Sequence, residues 1–139
     1  MSVDLLAKWD QEAEVWLGKW DRLSEYYTDD VVFHMPPFPD IVGIEALKET
    51  VIAFNAGFPD FQGVTDEAYV VGDTTFGRFT MSATFTGQTP LMPIPPTGKK
   101  AVGLACIMVH WRNGKIAEVW HVGDWLGWLT QFGVITPME

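Results

Sequence analysis

A single cysteine stands in this chain of 139 residues. No disulfide can form within it and no cysteine-rich metal site can be built, which fits a reducing compartment. Cys106 lies in the apolar run Val102 to Val109, where inert burial is expected. Basic residues are also scarce: 9 Lys plus Arg against 18 Asp plus Glu leave a net charge of -9. That sign opposes phosphate backbones and anionic lipid surfaces, so neither nucleic acid nor membrane is an expected partner. The opening stretch Met-Ser-Val-Asp-Leu-Leu-Ala-Lys-Trp-Asp lacks a basic region followed by a long apolar core, and no segment approaches membrane-spanning length. The expectation is a soluble, cytoplasmic protein. Internal repeats and low-complexity tracts are absent as well.

What the chain has in excess is aromatic surface. Seven Trp and nine Phe contribute to an aromatic share of 14%, more than packing a small core requires. Some of these rings are expected to line a cavity suited to a small, flat, apolar molecule. The length and the 47% hydrophobic content fit a single domain over 1–139 with one sizeable core.

Leu5, Trp9, Ala13, Trp16, Trp20, Leu23 and Tyr27 recur at steps of three and four, the spacing of one helical face, with Ser2 or Asp4 as cap and a break at Gly18. Val31 to Met35 reads as a short strand ended by Pro36-Pro37, and Ile44 to Phe54 as a second amphipathic helix. From residue 63 the period becomes extended, with strands expected near 63–71, 74–86, 100–112 and 115–122. Gly72-Asp73 and Asn113-Gly114 mark tight antiparallel hairpins. The connection Gly87 to Lys99 holds four prolines among Leu91, Met92 and Ile94, too apolar for a solvated loop. It is expected to cover a pocket or meet another subunit. Helices first and an antiparallel sheet afterwards give an α+β layer architecture.

These residues resemble a family. Tyr26-Tyr-Thr-Asp-Asp-Val-Val-Phe-His34, Gly43-Ile-Glu-Ala-Leu-Lys48, Phe58-Pro-Asp-Phe61, Pro96-Thr-Gly-Lys99 and Gly114-Lys-Ile-Ala-Glu-Val-Trp120, followed by Asp124 and Gln131-Phe-Gly133, are similar in order and spacing to the SnoaL-like polyketide cyclases, also called ester cyclases. The resemblance implies an NTF2-like cone, in which a curved antiparallel sheet is wrapped by N-terminal helices around an apolar pocket. It also implies a homodimer or homotetramer and no cofactor. Cyclases, dehydratases, isomerases, epoxide hydrolases and binding proteins share this scaffold, so function has to be argued from the site.

By the same resemblance Asp124 is the general acid/base of an intramolecular aldol closure and His110 its partner in the pocket, with no metal involved. His34 and Trp120 are expected to bind substrate, together with Glu118, Arg78 and Met108. From the residues themselves, Asp124 reads equally well as the N-cap of a helix beginning at Trp125, and His110 as a histidine near a hairpin end. Arg78 shares a strand face with Phe76, Thr80, Ser82 and Thr84, either a polar stripe inside the cone or the solvent side of the strand. Glu118 is either a second pocket acid or an edge partner for Arg78 or Lys115. Many relatives carry Thr-His-Thr-Gly where this chain has Thr84-Phe85-Thr86-Gly87.

Side chains alternate faces along a strand, so the hairpin register decides whether His110 meets Asp124. A two-residue Asn113-Gly114 loop pairs Arg112 with Lys115 and puts His110 on one face with His121. A three-residue loop pairs Trp111 with Lys115. His110 then joins Met108, Glu118, Trp120 and Asp124, with His121 on the opposite face, where a surface or subunit-interface role is expected. The resemblance favours the second arrangement. The function expected is a cofactor-free cyclase or related proton-transfer enzyme acting on a small apolar carbonyl compound. A hydratase, dehydratase or epoxide hydrolase and a non-catalytic binding protein are the alternatives.

Overall fold

A computed structural model describes residues 4–136. Asp4 caps the first helix, α1 (Leu5–Glu12), by accepting a hydrogen bond from the Ala7 N–H at 3.1 Å. Ser2, the other candidate cap, lies outside the described residues. A 3₁₀ turn over Ala13–Leu17 ends at Gly18, whose φ of 110° is open to glycine at little cost. A second turn (Trp20–Arg22) leads into α2 (Leu23–Tyr26) and then β1 (Tyr27–His34). Tyr27 therefore opens a strand instead of closing the helical face. Its partner is Ile116 in the sheet, where its ring is 2% exposed. The two-residue strand β2 (Ile41–Val42), too short to leave a periodic signal, precedes α3 (Ile44–Gly57).

The remaining strands are β3 (Gln62–Val71), β4 (Thr74–Thr84), β5 (Lys100–Arg112) and β6 (Lys115–Gly123), and a last helix, α4 (Trp125–Phe132), follows directly. They form one curved, open six-stranded sheet in the order β2-β1-β6-β5-β4-β3. Every pair is antiparallel except β1 with β6, which run parallel, so the sheet is mixed where a wholly antiparallel one was expected. Register shifts between Thr65 and Glu67 and between His110 and Trp111 add the local bends that bulges produce. Helices and the 87–99 connection cover the concave face.

The β5–β6 hairpin combines the two anticipated registers, with the turn of the first and, beyond a slip, the shared face of the second. Arg112 pairs with Lys115 across a two-residue turn in which Asn113 and Gly114 both have positive φ, 53° and 77°. Such a primed turn matches the twist of the flanking strands. The register then slips by one residue, so Trp111 faces Ile116 while His110 faces Glu118. The slip keeps Val109, Trp111, Ile116 and Val119 all buried on the concave side, which an unbroken ladder would not allow.

Two apolar clusters fill the concave side. One joins Leu5, Val15, Leu47 and Val51 of the helices to Val31, Phe33, Val109 and Val119 of the sheet. The other packs Phe58, Phe85, Trp128 and Phe132 around α4. Phe85 is completely buried there, 5.5 Å from the Phe58 ring and 6.1 Å from Phe132, and it is a core residue in this chain. Among the described residues no helix is long and apolar enough to cross a membrane.

Candidate functional site

Between the helices and the concave face lies a cavity of about 820 Å³. Its wall is mostly aromatic and aliphatic, including Trp9, Trp16, Phe33, Phe54, Phe79 and Trp128. Leu91, Met92 and Pro93 of the proline-rich connection close over it, which explains why that segment is so apolar. The polar groups on the wall are few and include Glu12, Tyr27, His121 and Asp124, and neither Lys nor Arg is among the lining residues.

Asp124 occupies the junction of β6 and α4 on the cavity wall. One carboxylate oxygen, Oδ1, accepts the Gly127 N–H at 2.9 Å, so the residue is the N-cap of α4. The other, Oδ2, lies over Gly127: a Cβ there would stand only 2.2 Å from it. Asp124 is solvent-exposed, at the open side of the cavity and outside its apolar depth. The N–H of Asp124 is tied to Leu104 of β5 at 3.0 Å, which holds the corner in place.

Residues on either side of Gly123–Asp124 in the chain carry two nitrogens without partners. His121 Nδ1 and Trp125 Nε1 are buried and make no hydrogen bond. His121 is only 8% exposed, and burial pushes its pKa down to about 4, so the ring is neutral at physiological pH. Between the two side chains is Gly123, whose missing Cβ would stand 3.6 Å from each of the two nitrogens. His121 lies on the face opposite His110, as expected, but that face is the cavity wall and not the surface or subunit interface expected for it.

Glu12 is a site residue that the sequence reading did not single out. It is 6% exposed at the end of α1 and lines the cavity. Its carboxylate oxygen Oε1 accepts hydrogen bonds from the Tyr27 hydroxyl and, at 3.0 Å, from Trp16 Nε1. Burial pushes the Glu12 pKa up to about 7 against the opposing effect of these donors. The signal was present in the spacing, since Glu12 comes three residues after Trp9 and four before Trp16, squarely on the apolar helical face.

The other expected site residues do come together, but on the outer face of the sheet. His110 faces Glu118 in the ladder and Met108 faces Trp120, as anticipated for a shared face. That face turns away from the cavity: His110 has a side chain 44% exposed, bonds to Thr74 Oγ1 at 3.2 Å and lies 3.9 Å from Glu118. His34 stacks on Trp120 with ring centroids 3.8 Å apart and bridges Asp40 and Glu118 at 3.0 and 2.9 Å. Burial opposes the charge on His34, but the two carboxylates outweigh it and raise the pKa. Arg78 pairs with Asp66 and Glu67 on the same outer side, so its stripe is the solvent side of β4. Cys106, facing Arg78, is exposed as well, contrary to the burial expected from its apolar neighbours. His110 and Asp124 thus share no cavity: His110 lies on the outer face with Met108, Glu118 and Trp120, whereas β6 ends at Gly123 and Asp124, at the corner into α4, leaves that alternation and lines the cavity.

Comparison with known proteins agrees with the architecture. The sequence model of the SnoaL-like polyketide cyclase family matches residues 10–132. Among solved structures, the chain is similar to IdmH of Streptomyces antibioticus, described as a candidate polyketide cyclase. The identity is 23% over 94% of this chain and 99% of that one, with a TM-score of 0.79. A candidate polyketide cyclase of Acidithiobacillus ferrooxidans gives 22% over 96% and 99%, with a TM-score of 0.80. AclR of Streptomyces galilaeus, described as a candidate hydroxylase, gives 21% over 95% and 97%, with a TM-score of 0.78. At such identities the likeness is one of fold. No curated protein matches the chain.

Proposed function

The chain belongs to the SnoaL-like polyketide cyclase family, and we propose that it is a cofactor-free acid/base enzyme closing a small, apolar, polyketide-type carbonyl compound by intramolecular aldol condensation. The observation that carries this reading is Asp124, a carboxylate on the wall of a mostly aromatic and aliphatic cavity. Asp124 removes a proton from a carbon activated by flanking carbonyls. The enolate attacks a second carbonyl of the same molecule, and the protonated acid returns its proton to the new alkoxide. The apolar walls contribute by folding a flexible chain into a reactive shape. His110 has no part in this chemistry.

Asp124→Asn is the decisive variant, because asparagine keeps the N-cap and removes only the proton carrier. Turnover of a polyketide ester substrate is expected to fall by at least about a hundredfold with folding intact. Undiminished turnover would sink the assignment.

The raised pKa of Glu12 favours a second reading, in which Glu12, hydrogen-bonded to Tyr27, carries the proton for a hydration or dehydration. Glu12→Gln would then abolish turnover while Asp124→Asn leaves it. Saturable ligand binding with no turnover, indifferent to both substitutions, would point to a binding protein. We also propose that a second copy of the chain covers the outer face of the sheet. There Phe76, Val102, Leu104, Trp120 and Val122 expose 47%, 48%, 51%, 40% and 57% of their surface.

A further inference from the structure

Most buried polar atoms in a folded protein find a partner, and those that do not call for an explanation. Two of the four unpartnered buried side-chain polar atoms among the described residues, His121 Nδ1 and Trp125 Nε1, flank one spot on the cavity wall. The spot exists because residue 123 is glycine: a Cβ there would stand 3.6 Å from each nitrogen and 3.1 Å from His121 Cε1.

We propose that this notch is the subsite for one carbonyl oxygen of the ligand, which accepts hydrogen bonds from Trp125 Nε1 and His121 Nδ1. The inference rests on the reading of the cavity as a substrate site and specifies how the substrate lies in it. An indole nitrogen is a donor only. A neutral imidazole has one donor nitrogen, and with the proton on Nδ1 both groups address the same acceptor. The ligand group is a neutral carbonyl and not a carboxylate, because no Lys or Arg lines the cavity and the Asp124 carboxylate is adjacent in the chain. As the carbonyl becomes an enolate the two neutral donors stabilise the developing charge.

The test is a matched pair of probes, 2-acetylnaphthalene and 2-ethylnaphthalene, titrated into the wild-type protein and into Trp125→Phe, Gly123→Ala and Asp124→Asn. The acetyl probe is expected to bind roughly tenfold tighter than the ethyl probe to the wild type. Trp125→Phe keeps a ring and removes the donor, and Gly123→Ala fills the notch. In both, the preference should shrink towards unity while the ethyl probe binds within about twofold of its original affinity. The ¹⁵N resonance of His121 Nδ1 should move with the acetyl probe alone.

Equal binding of the two probes by the wild type overturns the subsite, as does a preference that survives both notch variants or a failure of both probes to bind. Asp124→Asn separates this inference from the aldol reading. A preference kept in a variant whose turnover is also kept removes the acid/base assignment alone. An absent preference with Asp124-dependent turnover removes the subsite alone.

Discussion

His110 stands directly across from Glu118 on the face of the sheet that turns away from the cavity. Their side chains are 44% and 40% exposed, and 3.9 Å separates His110 Nε2 from Glu118 Oε1. His110→Ala should therefore leave ligand binding and turnover within about twofold of the wild type. Steady-state kinetics check this, and a loss of more than about tenfold would mean that the outer face takes part in the chemistry.

Gly127 gives access to Asp124 from the other side. A Cβ at this position would meet Asp124 Oδ2 at 2.2 Å, so Gly127→Ala must push the carboxylate off the start of α4. The lost cap costs about 1 kcal/mol, and alanine within a helix returns about 1 kcal/mol relative to glycine. The melting temperature should hardly change while turnover drops. A variant of unchanged activity would show that the position of this carboxylate does not matter.

Two buried groups give the stability a characteristic pH dependence. Glu12 holds its proton up to about pH 7 in the folded protein, against an ordinary value of 4.5, so its stabilisation is complete below 4.5 and lost as the pH rises towards 7. His121 titrates near 4 when folded, against 6.5, so its contribution is complete above 6.5 and lost as the pH falls towards 4. Each effect is roughly 3 kcal/mol, and they oppose each other, which leaves a shallow net profile between the two ranges. Glu12→Gln removes the first and should unmask the second. Urea unfolding at about pH 5 and about pH 8 is expected to show the variant gaining stability, relative to the wild type, as the pH rises. Parallel profiles for the two proteins would contradict the shift in Glu12.

The outer face offers a test of self-association. Val122 is 57% exposed in the middle of an apolar surface on β6, and Val122→Glu places a charge there. If two copies meet through this face, the variant should run as a monomer in sedimentation while ligand binding by the cavity persists. An unaltered sedimentation coefficient would locate self-association elsewhere or exclude it.

The single cysteine, the acidic balance and the aromatic excess are visible in the sequence, and so are most of the helices and strands. Asp4, with Ser2, and Asp124, beside its catalytic reading, were visible as cap candidates, because a short acidic side chain before an apolar helical period suits that role. The family pattern, spread from Tyr26 to Gly133, was equally legible. Glu12 was legible too, as a charge on an apolar helical stripe.

Which side of the sheet holds the cavity was decided only in three dimensions. Alternation along a strand defines two faces, but it ranks them only when one is clearly polar, and here the outer face mixes charged with apolar side chains. Val102, Leu104 and Val122 point outward, while Ala105, Ile107 and Val119 point inward. The register slip near Ala117 then reverses the count from the turn. No local residue signals it, because its advantage is non-local: it allows Trp111 and Ile116 to be buried together with Val109 and Val119. β5 buries Ala105, Ile107, Val109 and Trp111 and so leaves His110 outside, and the slip puts Glu118 and Trp120 outside with it and His121 into the cavity. His121, Gly123 and Trp125 come together by alternation along the chain, and tertiary packing decides that their side is the cavity wall.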